Sequence, residues 1–338
     1  MKKTFALIGA VAVAAGATLT AQQINGAGAT FPAPIYTKWF SEYNKLHKDV
    51  QINYQPLGSG AGVQQVSAKT VFFGASDFPL TDQQLAAAPG KLLHFPTVLG
   101  GVVPIYNVPG VTQELKFTGP VLAEIYMGKI TKWNDPQIAK VNPGVTLPAA
   151  DIAVVHRSEG SGTTFIWTDF LSKVSPDFKS KVGASPQPNW PTGVGQKGND
   201  GVSGQVTQTA GAIGYVELIY ALQNKISYGV LQNASGKFLK ASIESVTAAA
   251  SGAAKNMPPD FRVSITNAPG DDAYPASSFT WILLYQDSPD KVQGKTMVEF
   301  MKWALSATGG QQYAKDLGYA PLPKNVVDME LKELATIK

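Results

Sequence analysis

The chain has 338 residues, 44% hydrophobic and 15% charged, enough apolar material for one large or two medium domains with cores of their own. Its 28 basic and 24 acidic side chains give a net charge of +4 with no long basic run, which excludes a nucleic-acid footprint. There is no cysteine, which excludes disulfides, thiolate metal sites and a lipid-anchored N-terminal cysteine.

Met1-Lys2-Lys3 is a basic start, Phe5 to Ala15 an apolar stretch, and Ala15-Gly16-Ala17 an A-x-A cleavage pattern, with Ala21 a second candidate. Residues 1–21 therefore read as a secretory signal peptide, too short to span a membrane. Removing Lys2 and Lys3 takes the net charge from +4 to +2. No later segment reaches ~18 uninterrupted apolar residues, so a soluble mature protein is expected. An exported chain without cysteine suits a bacterial periplasm.

Strand-like and helix-like segments then alternate. FPAPIYTKWFSEYNKLH (31–47) sets Phe31, Ile35, Trp39, Tyr43 and Leu46 at helical spacing, with Pro32 in the first turn. VQINYQPL (50–57) alternates as a strand, GVQQVSAKT (62–70) reads as a short helix and VFFGASD (71–77) as a strand running into polar residues. TDQQLAAA (81–88) opens on an N-cap threonine. LHFPTVLGGVVPIYNV (93–108) is a β-rich run broken by Gly100-Gly101. TGPVLAEIYMG (118–128) is helical, IAVVH (152–156) a buried strand, and a helix follows from Ser161 to Ser175. GAIGYVEL (211–218), FRVSIT (261–266) and SSFTWILLYQ (277–286) read as strands, and SIESVTAAA (242–250) as a helix. KTMVEFMKWALSATG (295–309), GQQYAKDLG (310–318) and VVDMELKELATIK (326–338) are helical. The alternation implies α/β layers with largely parallel sheets. A chain this long favours two domains. Gly100-Gly101 and NAPGDDAYP (267–275) are the expected crossovers, which gives one domain of 22–99 plus 271–338 and a second of 100–270.

Four places share one form, an apolar segment followed by an elbow of Gly, Ser and Thr: INGAGATFP (24–32), PLGSGAGVQQ (56–65), FFGASDFPLTD (72–82) and VVHRSEGSGTTF (154–165). Any one of them could be ordinary helix capping. In a parallel α/β sheet such elbows lie at the carboxyl ends of strands, where ligands bind. A helix N-terminus there offers free N–H groups and partial positive charge, glycine lets the backbone approach an anion, and hydroxyls add donors. Four elbows in one chain, two of them carrying a charge, point to a shared oxyanion site.

Catalytic patterns are weaker. GSGAG (58–62) and EGSGT (159–163) lack the spacing of a G-x-S-x-G nucleophile elbow. GKT (294–296) ends like a phosphate-binding loop, but Pro289 stands in the first glycine position and the segment looks helical. GVGQKG (193–198) matches G-x-G-x-x-G but follows PNWPT rather than a strand, and reads as noise. His47, His94 and His156 have no metal-ligand spacing and suit surface or structural roles.

The four elbows, together with GGVVPIYNVPG (100–110), IYMGKITKWNDPQIAKVNPG (125–144), QKGNDG (196–201) and GAIGYVE (211–217), closely resemble the periplasmic phosphate-binding proteins of bacterial ABC-type phosphate uptake. The resemblance covers essentially the whole mature chain. It implies the α/β, two-lobed periplasmic-binding-protein fold of class II type, with the ligand in the interdomain cleft. It also implies a monomer that binds inorganic phosphate, needs no cofactor or metal, performs no catalysis and meets the membrane permease subunits of an ABC transporter. Carried over by motif, Thr30 and Phe31 would donate from the first elbow, Phe31 through its backbone N–H, and Ser59 from the second. Asp77 would accept a hydrogen bond from phosphate, Arg157 would make the salt link, and Ser161, Gly162 and Thr163 would donate from the fourth elbow. Glu159, where the family commonly has aspartate, would pair with the arginine. Gly60 stands where some members have serine.

The residue chemistry agrees. An ionised Asp77 suits an anion that carries a proton: monohydrogen and dihydrogen phosphate can donate to it and sulfate at neutral pH cannot. The planar donors of Arg157 fit oxyanion oxygens, and Glu159 would orient them. The alternatives are a receptor for another tetrahedral oxyanion such as sulfate, a secreted phosphatase, and a structural or adhesive surface protein. Asp77 argues against sulfate, no nucleophile–base pair or metal cluster supports a phosphatase, and adhesion would not need an aspartate among anion-type elbows.

Overall fold

Apolar alternation and β-branched runs become strands, and the 3.6-residue stripes become the helices that cover them. The computed structural model describes residues 22–338; the expected signal peptide, 1–21, lies outside the described residues. The strands are β1 (Gln22–Gly28), β2 (Val50–Pro56), β3 (Phe73–Ser76), β4 (Leu92–Asn107), β5 (Lys116–Phe117), β6 (Ala153–Arg157), β7 (Val194–Gln196), β8 (Ala212–Glu217), β9 (Val230–Gln232), β10 (Phe238–Leu239) and β11 (Ser277–Tyr285). The helices are α1 (Ala33–Leu46), α2 (Ser59–Ser67), α3 (Asp82–Ala87), α4 (Gly119–Tyr126), α5 (Pro136–Val141), α6 (Gly162–Val174), α7 (Pro176–Lys181), α8 (Gly198–Gln208), α9 (Leu218–Gln223), α10 (Ile243–Lys255), α11 (Lys291–Leu305) and α12 (Lys324–Leu334).

Local chemistry accounts for most boundaries. Pro32 precedes α1, whose Ile35, Tyr36, Trp39, Phe40 and Tyr43 form its buried face. Leu46, placed on that face by spacing, is 65% exposed, because the helix ends there and the chain turns toward β2. The Thr81 hydroxyl and the Gln84 side chain cap α3 reciprocally. Ser161 caps α6 by accepting from Thr164 N–H.

Eight strands form one sheet in the order β2-β1-β3-β11-β4-β8-β6-β7, and β10-β9-β5 form a small second sheet. β1 runs parallel to β2 and β3, and β6 parallel to β7 and β8. The sheet is mixed rather than largely parallel, since β11 is antiparallel to β3 and β4, and β4 to β8. β11 re-enters only after residues 108–276 have built the far half of the sheet, so it runs back along β4.

β4 ties the two halves together. Its residues up to Gly101 pair with β11, and Val102–Asn107 pair with β8. Gly100-Gly101 does not break this 16-residue strand. The Gly100 position is small because of what crosses it. A Cβ there would stand 2.6 Å from the Phe31 ring and 2.9 Å from Glu217 Oε1. Residues 261–266 are not a strand. Phe261 takes φ +58°, and side chains hold the segment in place of a ladder. Trp281 Nε1 donates to Phe261 O at 3.0 Å, Arg262 Nη1 donates to Leu80 O at 2.8 Å, and Lys173 Nζ reaches Ser264 and Thr266. The segment 310–318 holds two 3₁₀ turns, Gly310–Tyr313 and Lys315–Leu317, rather than one α-helix.

Four tryptophans, Trp39, Trp133, Trp167 and Trp281, are fully buried in the core. Trp39 and Trp133 donate to the carbonyls of Gly310 and Gly211 at 2.7 and 2.9 Å. Phe73 anchors the edge beneath α1: its ring stacks on Tyr54 at 6.0 Å and meets Phe40 at 5.9 Å. Phe73→Ala should cost about 3–5 kcal/mol of stability through the cavity it leaves. A denaturant midpoint unchanged from wild type would refute that role.

Candidate anion site

The four elbows all follow the carboxyl ends of parallel strands. Thr30 and Phe31 lie between β1 and α1, Ser59 begins α2 after β2, and Asp77 follows β3. Arg157 ends β6, and Ser161, Gly162 and Thr163 open α6. A fifth elbow joins them. GVGQKG reads as noise in sequence, yet it is β7, paired parallel with β6, running into α8. It is not a dinucleotide fingerprint, but it delivers the N-terminus of α8 to the same place.

Hydrogen bonds fix the convergence. Ser59 Oγ accepts from Asp77 N–H and from Gly162 N–H, both at 3.1 Å. Gly60 N–H donates to Gly160 O at 2.9 Å. Asn199, in the first turn of α8, donates from Nδ2 to Thr30 Oγ1 at 2.7 Å and to Thr163 Oγ1 at 3.2 Å. Gly162 has no space for a side chain: a Cβ would stand 2.5 Å from both Ser59 Oγ and Asp77 Oδ2. Thr30, Ser59, Asp77, Arg157, Ser161 and Thr163 are all buried. The Phe31 side chain belongs to the core beside Tyr319, and its carbonyl accepts from Tyr319 Oη at 2.6 Å. Tyr220 Oη holds the Thr30 carbonyl at 2.5 Å.

These bonds give the hydroxyls a direction. Both lone pairs of Ser59 Oγ are occupied by N–H donors, and Thr163 Oγ1 accepts from Asn199 and, at 3.4 Å, from Arg157 Nη1. Thr30 and Ser161 each accept one N–H donor. Ser59 and Thr163 are left with only their own protons for a ligand, while Thr30 and Ser161 keep a proton and one lone pair. Each of the four hydroxyls thus has a proton to donate. The Ser59 proton reaches Asp77 Oδ2 at 3.3 Å, long enough for a ligand oxygen to compete for it.

The charged groups nearly cancel. Arg157 Nε donates to Glu159 Oε1 at 3.0 Å and Nη2 bonds the same oxygen. Burial alone would raise the Glu159 carboxyl, but the guanidinium and the Gly198 N–H, 3.0 Å away, hold it below its ordinary value. The longer glutamate therefore still closes on the arginine and bonds the start of α8 as well, while its Oε2 has no partner. Asp77 is the other acid. Thr280 Oγ1 donates to its Oδ1 at 2.7 Å. Burial pushes its carboxyl up to about 7, against the opposing pull of Thr280, Arg157 and Ser59. Glu217, buried where β4 changes partners, caps α9 through Ile219 N–H and is pushed well above the carboxylate range by burial. Among the described residues no cluster of three or more His, Cys, Asp or Glu could hold a metal ion. His94 is a buried acceptor for Leu80 N–H, and His156 stacks on Trp190.

Asn199 and Thr280 are the site residues that residue-level reading does not single out. QKGNDG carries Asn199 only as part of a resemblance. Thr280 is a hydroxyl set between Phe279 and Trp281 in SSFTWILLYQ, and that position in a buried strand is the signal that could have found it.

This fold and cluster define a solute-binding protein of the periplasmic type, and the comparisons agree. A model described as a PBP superfamily domain matches residues 13–308. The phosphate-binding protein PstS of Xylella fastidiosa is 47% identical over 90% of this chain and 83% of its own length. That of Pasteurella multocida is 47% identical over 92% and 89%. The chain belongs to the PBP superfamily and, within it, to the family of the PstS phosphate-binding proteins. A solved phosphate-binding protein from Stenotrophomonas maltophilia shares the fold at TM-score 0.70 and 21% identity, over 92% of this chain and 94% of that one.

Arg157→Ala should weaken binding of a tetrahedral oxyanion by about 2–5 kcal/mol, since it strands half-buried Glu159 against the ligand. Arg157→Ala/Glu159→Ala should lose less, because it removes the stranded acid too. Titration calorimetry separates the two; a double variant weaker than the single would mean that Glu159 does not act through the arginine.

Proposed function

We propose that this protein captures inorganic phosphate outside the cytoplasmic membrane and hands it to the permease of an ABC-type importer, without catalysis. The observation that carries the reading is the polarity of the site. Thr30, Ser59, Ser161 and Thr163 are set to donate, and one buried acid, Asp77, can accept. A fully deprotonated tetrahedral anion satisfies the donors and repels the acid. Monohydrogen phosphate satisfies both. The names of the relatives support the same ligand. Thr30, Phe31, Ser59, Asp77, Arg157, Ser161, Gly162 and Thr163 are the proposed contacts.

Asp77→Asn should admit sulfate relative to wild type, because the amide donates where the carboxylate accepts. The raised carboxyl adds a pH arm. Below about 7 unliganded Asp77 takes up a proton and becomes a donor, so wild-type sulfate affinity should rise as pH falls through that value, while the amide variant stays flat there. Calorimetry with phosphate and sulfate at pH values on either side reads both. An equal phosphate-to-sulfate ratio in variant and wild type would remove Asp77 as the discriminator.

Residues 22–99 with 271–338, and residues 100–270, are proposed to act as two lobes that close on the ligand. The bonds from Asn199 to Thr30, from Gly162 to Ser59 and from Gly60 to Gly160 link the two segments and support a closed form. A ligand drives closure only as far as it prefers the closed state. Saturating phosphate should compact the wild type in small-angle scattering, and Thr163→Ala should reduce both affinity and compaction. Tight binding with unchanged scattering would mean a preformed pocket.

A further inference from the structure

Asn199 is fully buried, carries no charge and lies between two of the proposed contacts. Its amide can sit only one way round. Glu217 N–H, which can only donate, faces one branch of the side chain at 3.1 Å, so that branch is Oδ1. The NH₂ group must then face the threonines, one proton toward Thr30 Oγ1 and the other toward Thr163 Oγ1. Each threonine oxygen is committed to accepting from Asn199, and each O–H is turned away from it.

We propose that Asn199 is a positioning residue that sets the hydroxyl polarity of the site. It holds Thr30 and Thr163, one on each side of the β4 crossover, with their protons directed at the anion, so that both bind as donors. This rests on the phosphate reading above. No other residue type of this size does the same work. Aspartate would accept from both hydroxyls and reverse them, and leucine or alanine would leave them free to rotate. Backbone donors fix the polarity of Ser59 and Ser161, but among the described residues Thr30 and Thr163 have no backbone N–H in that role, and the only other donor to either is Arg157 Nη1, 3.4 Å from Thr163 Oγ1. The side-chain amide supplies the missing donors from a third helix.

The test is a double-mutant cycle read by phosphate calorimetry. Asn199→Asp keeps the size and the bond from Glu217 N–H while turning two donors into acceptors. It should weaken phosphate binding by about 100-fold or more, the loss expected for two hydrogen bonds to a charged ligand. In a Thr163→Val background, which removes one of the two hydroxyls, the same change should cost at least about tenfold less. Equal cost in both backgrounds would show that Asn199 acts through charge or packing alone, and would overturn the inference. Should Asn199→Asp fail to fold, Asn199→Ala in the same two backgrounds carries the same reading without an added charge. The proton signals of the Asn199 side-chain amide give a readout that packing does not mimic and that needs no ligand. Thr30→Val should move one of the two and Thr163→Val the other, and if neither moves the inference fails. A wild type that binds no phosphate would defeat the phosphate reading instead, leaving the amide signals to decide the role of Asn199.

Discussion

Four helix N-termini meet at one point, those of α1, α2, α6 and α8, and each brings a partial positive charge. Like poles held together repel, and something negative must lie among them. The protein supplies part of that charge itself. Asp77 sits beneath α2 and α6, and Glu159 accepts from the first N–H of α8. The parallel runs β1–β2–β3 and β6–β7–β8 exist, in effect, to aim these helices at one another, and β4 sets the distance between the two groups. Phe31, Tyr220 and Tyr319 then hold the turn at the start of α1 so that its carbonyls face away from the site. Remove the convergence and the burial of Thr30, Ser59, Asp77, Arg157, Ser161, Thr163 and Asn199 loses its reason.

Recognition divides between two kinds of group. Backbone and amide N–H donors occupy the lone pairs of the hydroxyls, which decides what those hydroxyls can still do. In the proposed phosphate site the acids decide what the ligand must bring. Thr280 matters because it takes one oxygen of Asp77 and leaves the other facing Ser59 and Gly162. Buried polar groups of this kind are costly unless they are satisfied, and for the hydroxyls and Asp77 satisfaction and specificity come from the same bonds.

Much of this was legible in the sequence because its signals are local. Glycine, serine and threonine after a strand mark an elbow wherever they occur, and a capping threonine such as Thr81 or a stripe such as Ile35 to Tyr43 needs no tertiary information. What stayed hidden depends on distance along the chain. Asn199 works on a residue 169 positions away, and Thr280 on one 203 positions away. Gly100-Gly101 looked like a break because glycine usually weakens a strand. Instead Gly100 makes room for the Phe31 ring and Gly101 lies against Tyr274, and no local pattern announces either approach. Residues 261–266 have strand composition but no strand beside them, and composition cannot supply a neighbour.

The pairing of Arg157 with Glu159 has a consequence for how an anion arrives. With Asp77 counted, the formal charge of the cluster does not exceed zero, so attraction comes from dipoles, whose fields fade faster with distance than that of a net charge. Mobile ions screen charges separated by more than about 8–10 Å, and this site exerts little force at that range. The cluster's own charges therefore add little long-range attraction, and through them binding depends only weakly on ionic strength. A site built this way gives up a long-range pull of its own and gains an affinity that changes little when the surrounding salt does.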